Sequence, residues 1–585
     1  MTVQFISQTV SGDLHLKLWR GERMCLLGMN VDTPADDFVG FAIEVKSPGS
    51  SSFLPLNNRL AFSYSKPVVK AVTGARWYSS LEAPFQKFRW IDFPNDQKAG
   101  QYEYRVTEMH MPRDNQLVKG ASATASITLD PVIYADYLDV GFTRNFASSQ
   151  AYADRYKNNP NIIPSNPDTG LSFKKVSSDV YEWLGFEAYQ LIFNTLKEVE
   201  DDPHLSLDVF AYDLNERDIV AAFERLKGRI RIVIDNSGSH RATTSAESQA
   251  ARRLAHSAGT NNVKRMHFTH LQHNKVFIVK SAGVPQKVLF GSTNFSFRGL
   301  YIQANNALVA YDRNAAALFG KVFDLAFQNA GTPGPKSWFE GDAISQRWYD
   351  VTQGGKPSLK FCFSPHATSN LSMDPVGKAI SQAKSSVFFS IAFLYQTKSG
   401  PVKNAIDKLM KSHVFSYGIS DKRGNLEVYK PDKSMGLVDF AYLAKVTPKP
   451  FDKEWSGGQG IREHDKFVVT DFNLPTAQVF TGSSNLSPSG EEGNGDNLVV
   501  IQDQKVATSY AIEALRIFDH LHFRVRMQNA LAGKKDKGHS GKTTLQKLEE
   551  LTLQKPRKFS AKPAWFDQFY KNGSQAEADR LLFSK

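Results

Sequence analysis

His273-Asn274-Lys275-Val276-Phe277-Ile278-Val279 and His464-Asp465-Lys466-Phe467-Val468-Val469-Thr470 open two segments that superimpose without a gap. The first runs on to Gly291-Ser292-Thr293-Asn294-Phe295-Ser296 and ends at Asn306-Ala307-Leu308-Val309. The second runs on to Gly482-Ser483-Ser484-Asn485-Leu486-Ser487 and ends at Asn497-Leu498-Val499-Val500. Every shared polar position is offset by 191 residues. A single HxK is weak, because 14 histidines in a chain of ordinary lysine content should give about one by accident. His15-Leu16-Lys17, with no GSxN behind it, is that accident. Two HxK units with the same apolar run, GSxNxS element and trailing Asn make an internal repeat.

Residues i and i+2 of a strand share a face, so His273 points with Lys275 and His464 with Lys466. Asn274 and Asp465 point away, the apolar run anchors the strand, and the GSxN turn brings hydroxyl, amide and backbone N–H groups toward one cavity. Two such half-sites face to face supply what displacement at a phosphodiester needs. One neutral imidazole attacks phosphorus and the opposed imidazolium protonates the departing oxygen. Lys275, Lys466, Ser292, Asn294, Ser483 and Asn485 would hold the non-bridging oxygens. The chemistry calls for no metal and no cofactor.

The repeat extends outward. LDVGF at 138–142 parallels LKFCF at 359–363, LSLDVFAY at 205–212 parallels SVFFSIAFLY at 386–395, and RIRIVIDN parallels VFSYGISD. Helical stretches such as VYEWLGFEAYQLIFNTLKEV and ERDIVAAFERLK, apolar every three or four positions, lie between the strands, which reads as α/β. We therefore expect one lobe over residues 131–335, a Pro/Gly-rich connection over 336–358 and a second lobe over 359–530. Before them, residues 1–130 alternate apolar and polar in short runs, an all-β pattern. Gly100-Gln101-Tyr102-Glu103-Tyr104 looks like the tyrosine-corner strand of an immunoglobulin or fibronectin-type sandwich. After them, residues 531–585 read as a basic tail with short helices; Lys534 to Lys562 holds nine Lys or Arg against three acidic residues.

A chain of 585 residues needs several cores. Cys25 and Cys362 show no CxxC or Cys/His spacing, so neither a disulfide framework nor a zinc site is indicated, and both are expected in buried strands. The opening residues lack a secretory signal and no window reaches eighteen apolar residues, so a soluble, cytoplasmic protein is expected. A net charge of +12 favours polyanionic partners, nucleic acid or an anionic phospholipid surface with peripheral membrane contact. Arg241, Arg252, Arg253, Lys264 and Arg265 read equally as a solvated face or as a guide for a polyanion. His267 and His270, without acidic or Cys companions, read as loop histidines near the cleft. The sequence names no partner for the β-sandwich.

The paired motifs resemble the HxKxxxxD signature of the phospholipase D superfamily over roughly residues 138–528. His464, Lys466 and Asp471 fit it fully; in the first motif Lys280 stands where the family places Asp. Where many members carry Glu-Asn after the GSxN element, this chain has Asn305-Asn306 and Asp496-Asn497, and Asp496 is the residue able to hold a histidine tautomer with charge. The resemblance implies two lobes about a pseudo-twofold axis and a phosphohistidine intermediate, with His273 as nucleophile and His464 as acid. It implies a nuclease or a phospholipase D. Lys280 and Asn305 also leave open a non-catalytic phosphate-binding module.

Overall fold

Alternation decides the first layer. In the strand Leu14–Arg20, Leu14, Leu16 and Leu18 are buried while His15 and Lys17 are partly exposed. The structure, a computed structural model, describes residues 5–65, 68–69, 76–94, 98–129, 134–164, 166–439, 463–532 and 552–585. The Lys-rich run at 533–543 lies outside them. Two four-stranded antiparallel sheets form the N-terminal part. One orders Ile6–Ser11, Leu14–Arg20, Cys25–Val31 and Arg89–Asp92; the other orders Gln116–Leu129, Gly100–Arg113, Phe38–Lys46 and Leu54–Pro55. Their facing residues, among them Leu16, Leu27, Phe41, Ile43, Tyr104 and Ile127, form one buried cluster. The Tyr102 hydroxyl donates to the Lys98 carbonyl, four residues upstream, at 3.0 Å.

Each HxK leads into a strand of a mixed sheet, Val276–Ser281 in the first case and Lys466–Thr470 in the second. The first sheet orders Leu138–Phe142, Asn306–Ala310, Val284–Gly291, Val276–Ser281, Leu205–Ala211, Ile230–Asp235 and Val263–Met266. The second begins with the short Tyr349–Asp350 and then orders Ser358–Ser364, Asp496–Gln502, Gln478–Gly482, Lys466–Thr470, Ser386–Ile391, Phe415–Ser420 and Leu437–Asp439. Apart from Tyr349–Asp350 the two orders match strand for strand, with only the last two pairings parallel in each. Val276 to Val279 and Phe467 to Val469 are buried without alternation, as strands covered on both faces must be.

Aromatic packing holds the two sheets together. Phe361 meets Phe290 at 5.5 Å between ring centres and Phe319 at 5.5 Å. The helix Gln504–Ala532 starts at Asp503, whose carboxylate accepts the Val506 N–H. Its Tyr510 ring touches Phe142 of the first sheet at 5.0 Å and Phe467 of the second at 5.1 Å. Cys25 and Cys362 are buried strand residues. Among the described residues no helix is long and apolar enough to cross a membrane.

The C-terminal segment packs back onto the two N-terminal sheets. Trp565 and Phe566 join their core, and the helix Gln575–Ser584 buries Phe583 against Phe388, Phe415 and Phe472 of the second lobe. The Phe583 carbonyl accepts the Trp19 indole N–H at 2.8 Å.

Candidate active site

The two HxK segments are stitched across the lobes by their backbones. His273 N–H donates to Gly495 O at 2.9 Å, and His464 N–H donates to Ala304 O at 3.2 Å. Lys275 Nζ donates to the His273 carbonyl, and Lys466 Nζ to the His464 carbonyl at 2.7 Å. Each ammonium is thereby folded back beside its own imidazole. All four residues are buried, and Lys275 Nζ lies 4.7 Å from the centre of the Tyr212 ring.

The partner of each imidazole comes from the opposite lobe. His273 Nδ1 lies 2.8 Å from Asp496 Oδ1, and His464 Nδ1 lies 2.8 Å from Asn305 Oδ1. The Asn305 amide donates to Gly299 O at 2.8 Å, which leaves its oxygen to accept. Both histidines therefore carry their proton on Nδ1 and present Nε2 to the cleft. Ser292 and Ser483 brace these partners. Ser292 Oγ donates to Asn305 Oδ1 at 2.9 Å and accepts the Asn306 N–H; Ser483 Oγ donates to Asp496 Oδ1 at 2.6 Å and accepts the Asn497 N–H. The glycine before each serine is obligatory. Gly291 and Gly482 sit at φ +147° and +143°, and a Cβ there would fall 2.5 Å from the carbonyl oxygens of Asn306 and Asn497.

The lobes are chemically unequal by a consistent rule: Gln272, Asn274 and Asn305 of the first stand where the second has Glu463, Asp465 and Asp496. Glu463 accepts from Ser390 Oγ and Asp465 from the Asn306 amide. Burial holds both carboxyls well above their ordinary pKa, Glu463 further through Asp465 and Asp465 further through Glu513. Burial lowers His273, Lys275 adds to this, and Asp496 opposes it. His464, with burial, Lys466, Lys275 and His273 all against its charge, is lowered further. Lys275 is pulled down to about 8, chiefly by burial. Lys466 is also pushed far down by burial and then by Lys275. Burial would raise Asp496, but the His273 charge and hydrogen bond, with Lys275 and the Ser483 hydroxyl, hold it below the ordinary Asp range. Burial first, and mutual repulsion second, disfavour charge on this cluster of two imidazoles and two ammonium groups, which makes it a receptor for an anion that would restore that charge.

A family model described as "Cardiolipin synthase, PLD-like domain" matches residues 201–326 and 376–518, the stretches that contain both half-sites. The chain belongs to the phospholipase D superfamily. Among solved structures it is similar to phosphatidylserine synthase of Haemophilus influenzae Rd KW20, at 14% identity over 62% of this chain and 93% of that one, with a TM-score of 0.40. It is also similar to the phospholipase D family member Nuc from Salmonella typhimurium, at 23% identity over 28% and 96%, TM-score 0.20. Yeast tyrosyl-DNA phosphodiesterase matches at 12% identity over 53% and 87%, TM-score 0.30. A search of curated proteins returns no significant match.

Of the residues expected in a superfamily site, His273, Lys275, His464, Lys466, Ser292, Ser483 and Asp496 join one network. Asn294 donates to Asp213 Oδ2 at 2.6 Å beside it, while Asn485 Oδ1 accepts no hydrogen bond. Asp471 stands apart from this network. It follows the strand Lys466–Thr470 at the end away from His464, where its carboxylate accepts the backbone N–H groups of Lys384, Ser385 and Ser386. Lys280, at the equivalent point of the first lobe, pairs with Asp208 Oδ2 at 2.6 Å.

Most of the basic residues flagged upstream are engaged. Arg253 pairs with Glu224. Arg265 donates to the carbonyls of Asp235 and His240 and to Ser248, Arg252 to Thr243 O, and Lys264 lies over the Phe327 ring. His267 faces Arg241 and the Phe268 carbonyl. Sequence reading missed Asp213, Asp235, His240 and Glu247, which come from separate turns with no local spacing to link them. Burial opposes charge on His240, but the hydrogen bonds it donates to Asp213 and Asp235 outweigh this and hold its pKa up at about 10.

Proposed function

We propose that the protein hydrolyses a phosphodiester through a phosphohistidine, with His273 as nucleophile and His464 as general acid. One observation carries the assignment: Asp496, a carboxylate, backs His273, whereas the neutral Asn305 backs His464. A nucleophile that becomes a cationic phosphoimidazole gains from a carboxylate behind it. An acid gains from a partner that leaves its proton loosely held. His273 Nε2 bonds to phosphorus as the ester P–O bond breaks, and the His464 Nε2 proton passes to the leaving oxygen. Water then attacks phosphorus, yields its proton to His464, and the P–N bond breaks. Lys275 and Lys466 steady the non-bridging oxygens throughout. The matching strand orders support two lobes related by a pseudo-twofold, and the Tyr102 bond supports an immunoglobulin or fibronectin-like reading of the sandwich.

The net charge of +12 supports nucleic acid as substrate; the description of the matching family model supports a phospholipid as the second reading. A labelled p-nitrophenyl phosphodiester, whose leaving group needs no acid, tests the roles. His464→Ala should accumulate an acid-labile covalent adduct, and His273→Ala should form none; the reverse pattern would exchange the roles. Single-stranded and duplex nucleic acid beside phospholipid vesicles, each with and without EDTA, then separate the substrates. Turnover of vesicles alone replaces the nuclease reading, and turnover of nothing leaves a phosphate receptor.

A further inference from the structure

Beside the cleft, three side chains from three separate elements converge. Asp213 follows the strand Leu205–Ala211, His240 lies in the turn Gly238–Arg241, and Glu247 is in the first turn of the helix Ala246–Ala258. Their ligand atoms all lie within 4.8 Å of one another. His240 Nε2 is 3.1 Å from Asp213 Oδ1 and 3.8 Å from Glu247 Oε1. We propose that Asp213, His240 and Glu247 bind one divalent transition-metal ion, of the zinc or manganese class, at the edge of the phosphodiester cleft.

Geometry is the first argument. Ligands about 2.1 Å from a tetrahedral ion stand about 3.4 Å apart, and the two separations measured from His240 bracket that value. Donor chemistry is the second: one imidazole with two carboxylates suits an ion of intermediate hardness and leaves one tetrahedral position for water or an anionic oxygen. The third lies behind the histidine. Asp235 Oδ2 is 2.8 Å from His240 Nδ1 and is fixed in turn by the Ser237 N–H and hydroxyl, while Asp235 Oδ1 accepts the Gln272 N–H. A carboxylate holding Nδ1–H leaves Nε2 as the atom that would exchange its proton for an ion, the arrangement found behind metal-ligating histidines. Three carboxylates surround one imidazole; Lys275 and Arg265 face this group by charge alone, Arg265 hydrogen-bonding backbone carbonyls and Ser248, while Glu247 Oε1 also accepts the Leu214 N–H at 3.0 Å.

The site is reachable and linked to the cleft. The Asp213 side chain is 33% exposed, against 6% for Glu247. Asp213 Oδ2 takes the Asn294 amide, and the Tyr212 ring lies between His240, 4.9 Å away, and His273, 4.8 Å away. The ion would therefore stand next to the phosphate pocket and outside the histidine pair, where its open position can take a second anionic oxygen of the substrate. This inference does not depend on which histidine attacks. The rival is a network in which a proton on His240 occupies the place of the ion.

The test uses the full chain, stripped with EDTA and titrated with Zn2+ against a chromophoric chelator, with Mn2+ followed by electron paramagnetic resonance. We expect one tight equivalent, weakened on the order of 100-fold by Asp213→Asn, Glu247→Gln or His240→Gln and about 10- to 100-fold by Asp235→Asn. His273→Ala should leave it intact. Thermal unfolding of each metal-free variant checks the fold, and the two isosteric acid-to-amide changes carry the test should His240→Gln not fold. Absence of a stoichiometric equivalent overturns the proposal. So does an equivalent that survives Asp213→Asn and Glu247→Gln, or one lost in His273→Ala and kept in those variants, which would put the ion between the catalytic histidines.

Discussion

At the scale of the residue, the crossed pairing of His273 with Asp496 and His464 with Asn305 separates two otherwise equivalent imidazoles. Replacing the carboxylate by its amide isostere tests this directly. Asp496→Asn should lower kcat on the order of 10²- to 10⁴-fold, because an amide can neither stabilise the cationic adduct nor enforce the Nδ1–H tautomer unaided. Asn305→Asp should act selectively. A carboxylate behind His464 makes it a weaker acid, so alkyl phosphodiesters should slow by about tenfold while p-nitrophenyl esters are spared. Equal slowing of both would show that Asn305 only positions the ring. The pH profile follows from the same groups. His273 must be neutral to attack and is held below 6.5, so kcat/KM should fall toward acid only below that value. His464 must carry a proton to act as acid and is held well below 6.5 by burial and by Lys466, Lys275 and His273. The kcat/KM of the free enzyme should therefore already decline on the alkaline side below pH 6.5. A second alkaline fall should follow near pH 8 as Lys275 loses its charge. A second fall unchanged in Lys275→Arg would assign it to another group.

At the scale of the element, the strand after each HxK explains both what the sequence disclosed and what it hid. Period two predicted His273 and Lys275 on one strand face, whereas both precede the strand Val276–Ser281 and are tied together by the Lys275 bond to the His273 carbonyl. The strand rise, about 3.3 Å per residue, carries Asp471 roughly 16 Å from Lys466, beyond the far end of the strand. Family spacing grouped Asp471 with the site, while strand geometry puts it where three backbone N–H groups need an acceptor. Asp471→Ala should therefore destabilise by about 2–4 kcal/mol, read as a lower denaturation midpoint, with kcat per folded molecule unchanged; a loss of kcat without loss of stability would return it to the site. Lys280 follows the same logic with the charge reversed. Lys280→Asp, the family residue, would face buried Asp208 across adjacent strands and should cost about 1–3 kcal/mol. Arg231, also paired with Asp208, limits the loss. Which residue of one lobe faces which of the other was not legible, because a repeat fixes equivalence and says nothing of docking. Asp213, Asp235, His240 and Glu247 were hidden for a related reason: the sheet brings together turns that are unrelated in sequence.

At the scale of the molecule, the C-terminal segment holds the N-terminal antiparallel sheets against the mixed sheets that carry the site. Arg89, on a strand of the N-terminal sheets, pairs with Asp519 at 2.5 Å and with Asp579 at 2.6 Å, so one buried guanidinium joins those sheets, the long helix and the C-terminal helix. Leaving those two carboxylates without their cation should cost about 3–5 kcal/mol in Arg89→Met. Beside this pair the backbones themselves touch: a Cβ on Gly28 would fall 2.0 Å from the Phe583 carbonyl oxygen, which must also accept the Trp19 indole. Neither atom belongs to a flexible side chain, so Gly28→Ala has to displace the helix Gln575–Ser584 and pull Phe583 from between Phe415 and Phe472. We expect that variant to unfold at lower temperature and to expose the C-terminal helix to limited proteolysis before the lobes. The catalytic network lies in the lobes and bonds to neither segment, so kcat on a small phosphodiester should persist until the lobes themselves melt. Loss of turnover in step with release of the helix would mean instead that the contact with the N-terminal sheets sets how the two half-sites meet.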